Sequence, residues 1–155
     1  MLHWCLRGRQ VQGWLLAALL AAALATIASP PASAARSDDL ALADRLALGG
    51  EHAQAAGLYE SLAKRPFRAW DTRLALLAAR EYQAAGDLDA AERMLGRARP
   101  VQRADDAVLF ARVAAEVALA RGRPDAALAA LAEAPEPWPA PVAVELLALR
   151  ARAQL

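Results

Sequence analysis

The chain has 155 residues, of which 44 are Ala and 26 are Leu, the two strongest apolar helix formers. Val, Ile and Thr together number only 10, which excludes a protein built from β-sheets, because strands use β-branched and aromatic side chains. The formal charge is +1, from 18 basic and 17 acidic residues, and this balance argues against a nucleic-acid-binding protein. We therefore expect an all-α chain, and its length allows one domain or a domain plus a targeting segment.

The first 34 residues have the pattern of an export signal. Arg7 and Arg9 form a short basic start, a charge-free apolar run covers residues 14–28, and Ala-Ser-Ala at 32–34 is typical of a cleavage site. The run of 15 residues is shorter than the roughly 20 that a membrane span needs. We predict a signal peptide over residues 1–34, cleaved before Ala35, and a product in the periplasm or at the periphery of the outer membrane. The alternative is an uncleaved anchor, which would be the chain's contact with the membrane.

Cleavage would also remove the single cysteine and one of the two histidines. Cys5 precedes the apolar run, so it does not have the position of a lipid-acceptor cysteine, and the mature chain would contain no thiol for a disulfide, for catalysis or for a metal. The remaining His52 has no second His or acidic cluster at ligand spacing. No set of nucleophile, base and orienting residue appears either. We therefore predict that the protein is not an enzyme and uses no metal or cofactor.

The strongest signal in the rest of the chain is a repeat of 36 residues, marked by Gly50, Gly86 and Gly122. Matching residues stand at equal offsets from these glycines: Ala43, Ala79 and Ala115; Ala55, Ala91 and Ala127; Tyr59, Leu95 and Leu131; Leu62, Ala98 and Ala134. Glycine often follows a helix in the left-handed conformation, so each glycine predicts a turn between two helices.

The repeat predicts three helix pairs, at about 38–48 with 51–65, 69–85 with 87–99 and 104–121 with 124–134. A seventh helix is expected at about 141–155, and the next turn glycine would fall at 158. The seventh helix is apolar almost all round, so it needs a partner on more than one side. Two explanations stay open: the chain is a fragment of a longer protein, or the terminal helix docks onto another chain.

This pattern resembles the tetratricopeptide repeat, whose small residue in the first helix, turn glycine, second-helix alanine and following large residue match Ala79, Gly86, Ala91 and Leu95. The period is 36 rather than the family's roughly 34, and the early tryptophan of the family is lacking. The resemblance covers about residues 38–155. It implies a tetratricopeptide-like solenoid of three helix pairs plus a terminal helix, in a domain over residues 35–155.

Residues 76–92 and 113–128 are also similar to the N-terminal helical domain of the outer-membrane activators of penicillin-binding proteins (the LpoA type). The resemblance implies a non-enzymatic protein–protein interaction module of the bacterial cell envelope that acts in peptidoglycan synthesis, with a penicillin-binding protein as its partner. The chain lacks the lipid-acceptor cysteine and the second domain of that family. The alternative is a structural assembly module whose apolar terminal helix pairs with itself or with a second domain.

The resemblance to the tetratricopeptide repeat also implies a binding surface, because in that family the first helix of each pair lines it. On these helices the candidate partner-binding residues are Arg73, Arg80, Gln83, Arg112, Glu116 and Arg152. They would anchor an extended peptide, with arginines holding its carboxylates. The signs alternate at four equivalent positions, Asp44, Arg80, Glu116 and Arg152, which favours the alternative of a ladder of ion pairs between neighbouring helices.

Overall fold

The computed structural model describes residues 32–64, 70–138 and 140–155, with side chains from Ala35 onward. Regular structure in this part of the chain is entirely α-helical, with no strand, as the composition predicts. The helices are α1 (Ala32–Leu48), α2 (His52–Ala63), α3 (Thr72–Ala84), α4 (Leu88–Ala98), α5 (Ala104–Ala120), α6 (Pro124–Ala132) and α7 (Ala140–Ala153). Residues 1–31 of the predicted signal peptide lie outside the described residues.

The start of α1 differs from the prediction. The helix begins at Ala32 rather than near residue 38, and it crosses the predicted boundary between residues 34 and 35. The sequence contains no proline or glycine between Pro31 and Gly49, so no helix-breaking residue delays the start. Contacts divide the chain into Met1–Ser37 and Asp38–Leu155, and the second unit carries the cores described below. None of the described helices has the length and apolar character needed to cross a membrane.

The three repeat glycines end α1, α3 and α5 in the left-handed conformation, with φ of 80°, 84° and 66° for Gly50, Gly86 and Gly122. Each glycine N–H donates to the carbonyl three residues back, at 3.2, 3.0 and 2.9 Å. The next N–H donates to the carbonyl five residues back, at 2.9, 2.9 and 2.8 Å. These two bonds form a Schellman motif, which satisfies the last carbonyls of the helix. The predicted turns are confirmed at all three positions.

The residues that open the following helices differ from one repeat to the next. Asp87 caps α4, because its side chain accepts a hydrogen bond from the Ala90 N–H at 2.9 Å. Pro124 occupies the first turn of α6, where its missing N–H leaves no helical bond unmade. Asp71 accepts from the Leu74 N–H at 3.3 Å and caps α3 in the same way.

Consecutive helices from α2 to α7 pack on each other, and α3, α5 and α7 also contact one another in sequence. Two hydrophobic clusters result, and α5 contributes to both. Phe110, Val113 and Val117 lie in the first cluster, with residues of α1 to α4. The second cluster contains residues of α5, of α6 and the turn after it, and of α7: Ala111, Ala115, Ala118, Ala127, Leu131, Ala134, Leu146, Leu149 and Ala153.

The repeat alanines are buried between packed helices. All six at the two alanine positions of the repeat have no exposed surface: Ala43, Ala79, Ala115, Ala55, Ala91 and Ala127. A larger side chain at these positions would meet close-packed neighbours, since protein interiors have the density of organic crystals. The alanine content of the chain is therefore a packing requirement as well as a helix preference.

Candidate functional site

Five of the six candidate residues surround one cavity of about 880 Å³: Arg80, Gln83, Arg112, Glu116 and Arg152. They come from α3, α5 and α7, the first helices of successive units, and these helices are neighbours in the fold. The wall is completed by Asp44, Ala47 and Leu48 of α1, by His52 and Tyr59 of α2, and by Glu81, Ala84, Leu119 and Ala120. Five residues that were selected from the sequence are therefore brought together around this cavity by the packing of the helices.

The sixth candidate, Arg73, lies away from this cavity. Its guanidinium donates to Asp106 Oδ1 at 3.3 Å, and the Asp106 residue is only 5% exposed. The pair joins α3 to α5 and supplies a charge partner to a buried carboxylate. Arg73 therefore connects α3 to α5 and does not line the cavity.

A second buried carboxylate, Glu81, lies on the cavity wall and was not predicted from the sequence. Glu81 is 3% exposed, and its Oε1 accepts from Arg80 Nε at 2.9 Å and from Arg80 Nη2 at 2.7 Å. Its other oxygen lies 2.7 Å from His52 Nδ1 on α2. A glutamate in an alanine-rich helix gives no sequence signal of burial, because glutamate is also common on exposed helix faces.

Tyr59 and Asp44 form another polar contact on the same wall. Tyr59 is 1% exposed, and its hydroxyl donates to Asp44 Oδ1 at 2.5 Å. Burial raises the pKa of Tyr59, and the hydrogen bond to Asp44 raises it further, because ionisation would bring two negative groups together. The phenol therefore remains a protonated donor that joins α2 to α1.

Arg112 is shared between two carboxylates. Its Nε donates to Glu116 at 3.2 Å within α5, and its Nη1 lies 2.5 Å from Glu145 on α7. The predicted ladder does not form among the four alternating positions. Of these, Asp44 accepts from Tyr59, Arg80 pairs with Glu81 and Glu116 pairs with Arg112. Pairs between first helices do occur, but through other residues, as in the Arg112–Glu145 contact.

Arg152 has no hydrogen bond or ion pair with any described residue, although the other charged residues of the wall are all paired. The side-chain amide of Gln83 likewise has no hydrogen-bond partner within the described chain. Apolar surface lies beside these groups, since Leu48 is 90% exposed and Leu119 is half-buried on the same wall. The cavity therefore offers one unneutralised cation, one free amide and an apolar wall.

Within the described residues, no group of three His, Cys, Asp or Glu side chains is arranged to hold a metal ion. Comparison of the chain with protein-family models, with curated proteins and with solved structures finds no match. The residues around the cavity are therefore the basis for assigning a function.

Proposed function

We propose that the chain is an exported, non-enzymatic protein–protein interaction module with a tetratricopeptide-like solenoid fold. It binds an extended segment of a partner protein in the cavity formed by α1, α2, α3, α5 and α7. The observation that carries this proposal is that five residues chosen from the first helices of the repeat border the same space. The three identical glycine turns and the contacts between successive first helices support the solenoid.

The charges of the cavity wall favour a segment with one carboxylate. Arg80 and Arg112 are already neutralised by buried or half-buried glutamates, whereas Arg152 has no anionic partner among the described residues. A carboxylate can accept two parallel hydrogen bonds from such a guanidinium. Gln83 can donate to and accept from a peptide backbone. Leu48, which is exposed on the same wall, can contact an apolar side chain next to the acidic residue of the bound segment.

The partner would be a protein of the bacterial cell envelope, with a penicillin-binding protein as the first candidate. The export pattern of residues 1–34 and the resemblance of residues 76–92 and 113–128 to the activator family support this assignment. The near-zero net charge supports a protein partner over a nucleic acid, because nucleic-acid-binding surfaces carry a basic excess.

Site-specific photocrosslinking tests the proposal. A photoreactive amino acid at Leu48, in cells that express the full chain, should form a covalent adduct with one envelope protein. Arg152→Glu should reduce the adduct at least about fivefold, because the cation that holds the carboxylate is reversed. The matched control is Arg150→Glu, which makes the same charge change on α7 but lies outside this cavity.

The comparison of Arg152→Glu with Arg150→Glu shows whether the cavity is the binding site. An adduct that is equally strong in Arg152→Glu and Arg150→Glu, with both variants folded by circular dichroism, would contradict the cavity as the binding site. Binding of the purified adduct partner to the purified chain, weakened by Arg152→Glu, would support it. A penicillin-binding protein is excluded as the partner if it neither forms the adduct nor binds the purified chain.

A further inference from the structure

A tryptophan beside two cations marks a second surface of the fold, at residues that do not line the cavity. The ring centre of Trp70 lies 5.7 Å from Lys64 Nζ and 5.0 Å from Arg97 Cζ. Trp70 is half-buried and packs against the first hydrophobic cluster, whereas Lys64 and Arg97 are exposed. A cation is attracted to the face of an aromatic ring. The ring therefore keeps two positive charges, from the end of α2 and from α4, close to each other.

Helix α4 extends this surface. Arg93 and Arg97 lie one helical turn apart, so they are neighbours on the same side of the helix. Both are exposed, and neither forms a hydrogen bond or an ion pair with any residue that the structure describes. Residues 93–103 contain four arginines and no acidic residue, so this stretch supplies no carboxylate to them. Lys64, Trp70, Arg93 and Arg97 make up what we call the basic face.

The acidic residues that contact or adjoin the basic face are already engaged. Glu60 accepts a hydrogen bond from the Tyr82 hydroxyl at 2.7 Å and lies 3.2 Å from Lys64 Nζ. Asp71 caps α3, and Glu92 pairs with the arginines of the turn before α6. Three cations therefore face two carboxylates, and an excess of positive charge remains on the basic face.

The residue types of the basic face match a surface of anionic lipid headgroups. Arginine and lysine donate hydrogen bonds to phosphate oxygens. Tryptophan has an apolar body and a polar N–H, and it favours the boundary between lipid and water. Arg93 and Arg97 are spread along a helix and are not fixed by hydrogen bonds, which suits a fluid layer of neighbouring headgroups. A single phosphate ion would instead require donors that converge on one point.

We propose that the basic face docks the protein onto a membrane that contains anionic phospholipids. The negative surface potential attracts Lys64, Arg93 and Arg97, and Trp70 lies among the headgroups. Each lysine or arginine close to such a surface contributes about fivefold to the affinity. Helix α4 supplies no residue to the cavity wall, so the basic face and the cavity use different residues. This proposal does not depend on the segment proposed to bind in the cavity.

The test must report on the basic face itself, because the apolar run at 14–28 of the full chain can enter any vesicle. A spin label on Gly96→Cys, in a Cys5→Ser chain, stands next to Arg97 at an exposed position with open space around the Cβ. The matched control is a label on Ala132→Cys, the exposed repeat equivalent on α6. Electron paramagnetic resonance then measures how readily a water-soluble nickel chelate reaches each label.

Vesicles with equal parts of phosphatidylglycerol and phosphatidylcholine should reduce the access of the chelate to position 96 severalfold and leave position 132 unchanged. Pure phosphatidylcholine vesicles should leave both positions unchanged, because they carry no net charge to attract the cations. Titration with the anionic vesicles gives an apparent affinity from the signal at position 96. Added salt should weaken this affinity, because it screens the attraction between the cations and the surface.

Charge reversal separates the basic face from the total charge. Arg93→Glu/Arg97→Glu should lower the apparent affinity at least about tenfold, because two attractive charges become repulsive. Arg45→Glu/Arg150→Glu makes the same change in net charge at exposed positions of α1 and α7, and it should lower the affinity less than about threefold. Arg93→Gln/Arg97→Gln removes the charges without reversing them and should give an intermediate loss. Circular dichroism checks that each variant is folded.

The proposal is overturned if position 96 stays accessible with the anionic vesicles, or if pure phosphatidylcholine protects it equally. It is also overturned if the two charge-reversed variants lose the same affinity. Protection of position 96 by polyglutamate but not by vesicles would assign the basic face to an acidic polypeptide and would equally overturn a lipid surface. Crosslinking from Leu48 does not involve the basic face, so the proposals for the cavity and for the membrane can fail separately.

Discussion

His52 Nδ1 lies 2.7 Å from Glu81 Oε2, and this contact joins α2 to α3 at the wall of the cavity. Glu81 is buried, whereas the side chains of His52 and Arg80 are 36% and 40% exposed. The buried anion is therefore held by two cationic or hydrogen-bonding groups that retain contact with water. The loss in the free energy of unfolding therefore depends on which of the three residues, His52, Arg80 or Glu81, is replaced.

Arg80→Ala should lower the free energy of unfolding by about 2–3 kcal/mol, because it leaves the Glu81 carboxylate buried with one partner. The double variant Arg80→Ala/Glu81→Leu should recover most of this loss, since an apolar side chain needs no charge partner. Urea denaturation of the wild type and both variants measures the three values. A double variant as unstable as Arg80→Ala alone would contradict the role of the buried charge.

The only two tyrosines of the chain, Tyr59 and Tyr82, should ionise at unusually high pH. Burial raises the pKa of Tyr82 to about 12, with a further contribution from its hydrogen bond to Glu60. Burial and Asp44 also raise the pKa of Tyr59. Since the ordinary value is 10.0, the neutral Tyr82 phenol stabilises the fold below pH 10 and loses this effect as pH rises through about 12. The raised pKa of Tyr59 acts in the same direction.

Absorbance at 295 nm measures this titration directly. At pH 11, Tyr82 should be about 10% ionised in the folded chain and about 90% ionised in the chain unfolded by urea. Tyr82→Phe should leave only the Tyr59 signal, which stays low at the same pH. A folded chain that titrates with a midpoint near 10 would contradict the buried hydrogen bonds.

Two glycine substitutions should have opposite effects on stability. Gly86→Ala should destabilise the fold by about 1 kcal/mol, because a Cβ is strained at φ +84° even though no atom lies within 4 Å of it. Gly57→Ala should stabilise the fold by about 0.5–1 kcal/mol, because Gly57 lies within α2 with open space around its Cβ position. Thermal unfolding of both variants gives the comparison, and equal signs would be inconsistent with the turn assignment.

Enlarging the repeat alanine should distinguish α5 from α7. Ala115→Leu should lower the free energy of unfolding by about 1–3 kcal/mol, because the site has no exposed surface and the added atoms overpack it. Ala151→Leu should change it by less than about 0.5 kcal/mol, because the equivalent alanine of α7 is exposed. Chemical denaturation of the two variants checks this difference. A large loss in Ala151→Leu would mean that the face of α7 formed by Val144, Leu147 and Ala151 is covered in the isolated chain.

Local chemistry made the helices and turns predictable. Gly50, Gly86 and Gly122 could be assigned to left-handed turns from their spacing alone, since the conformation depends on the lack of a Cβ and on the last carbonyls of one helix. The positions of the buried alanines could be predicted from the same 36-residue spacing. The start of α1 was predicted too late, because the segment after Pro31 carries no signal that separates a loop from an alanine-rich helix.

The sequence by itself determined the all-helical character, the 36-residue repeat and the positions of its turns, because these depend on residues within one helix pair. It also named five residues that border the cavity. Only the tertiary structure decided that Arg73 pairs with Asp106 away from the cavity and that His52 meets a buried Glu81. The exposure of Leu147 and Ala151 was decided in the same way. Each of these facts depends on which helix faces lie against a neighbour, and packing between units sets that relationship.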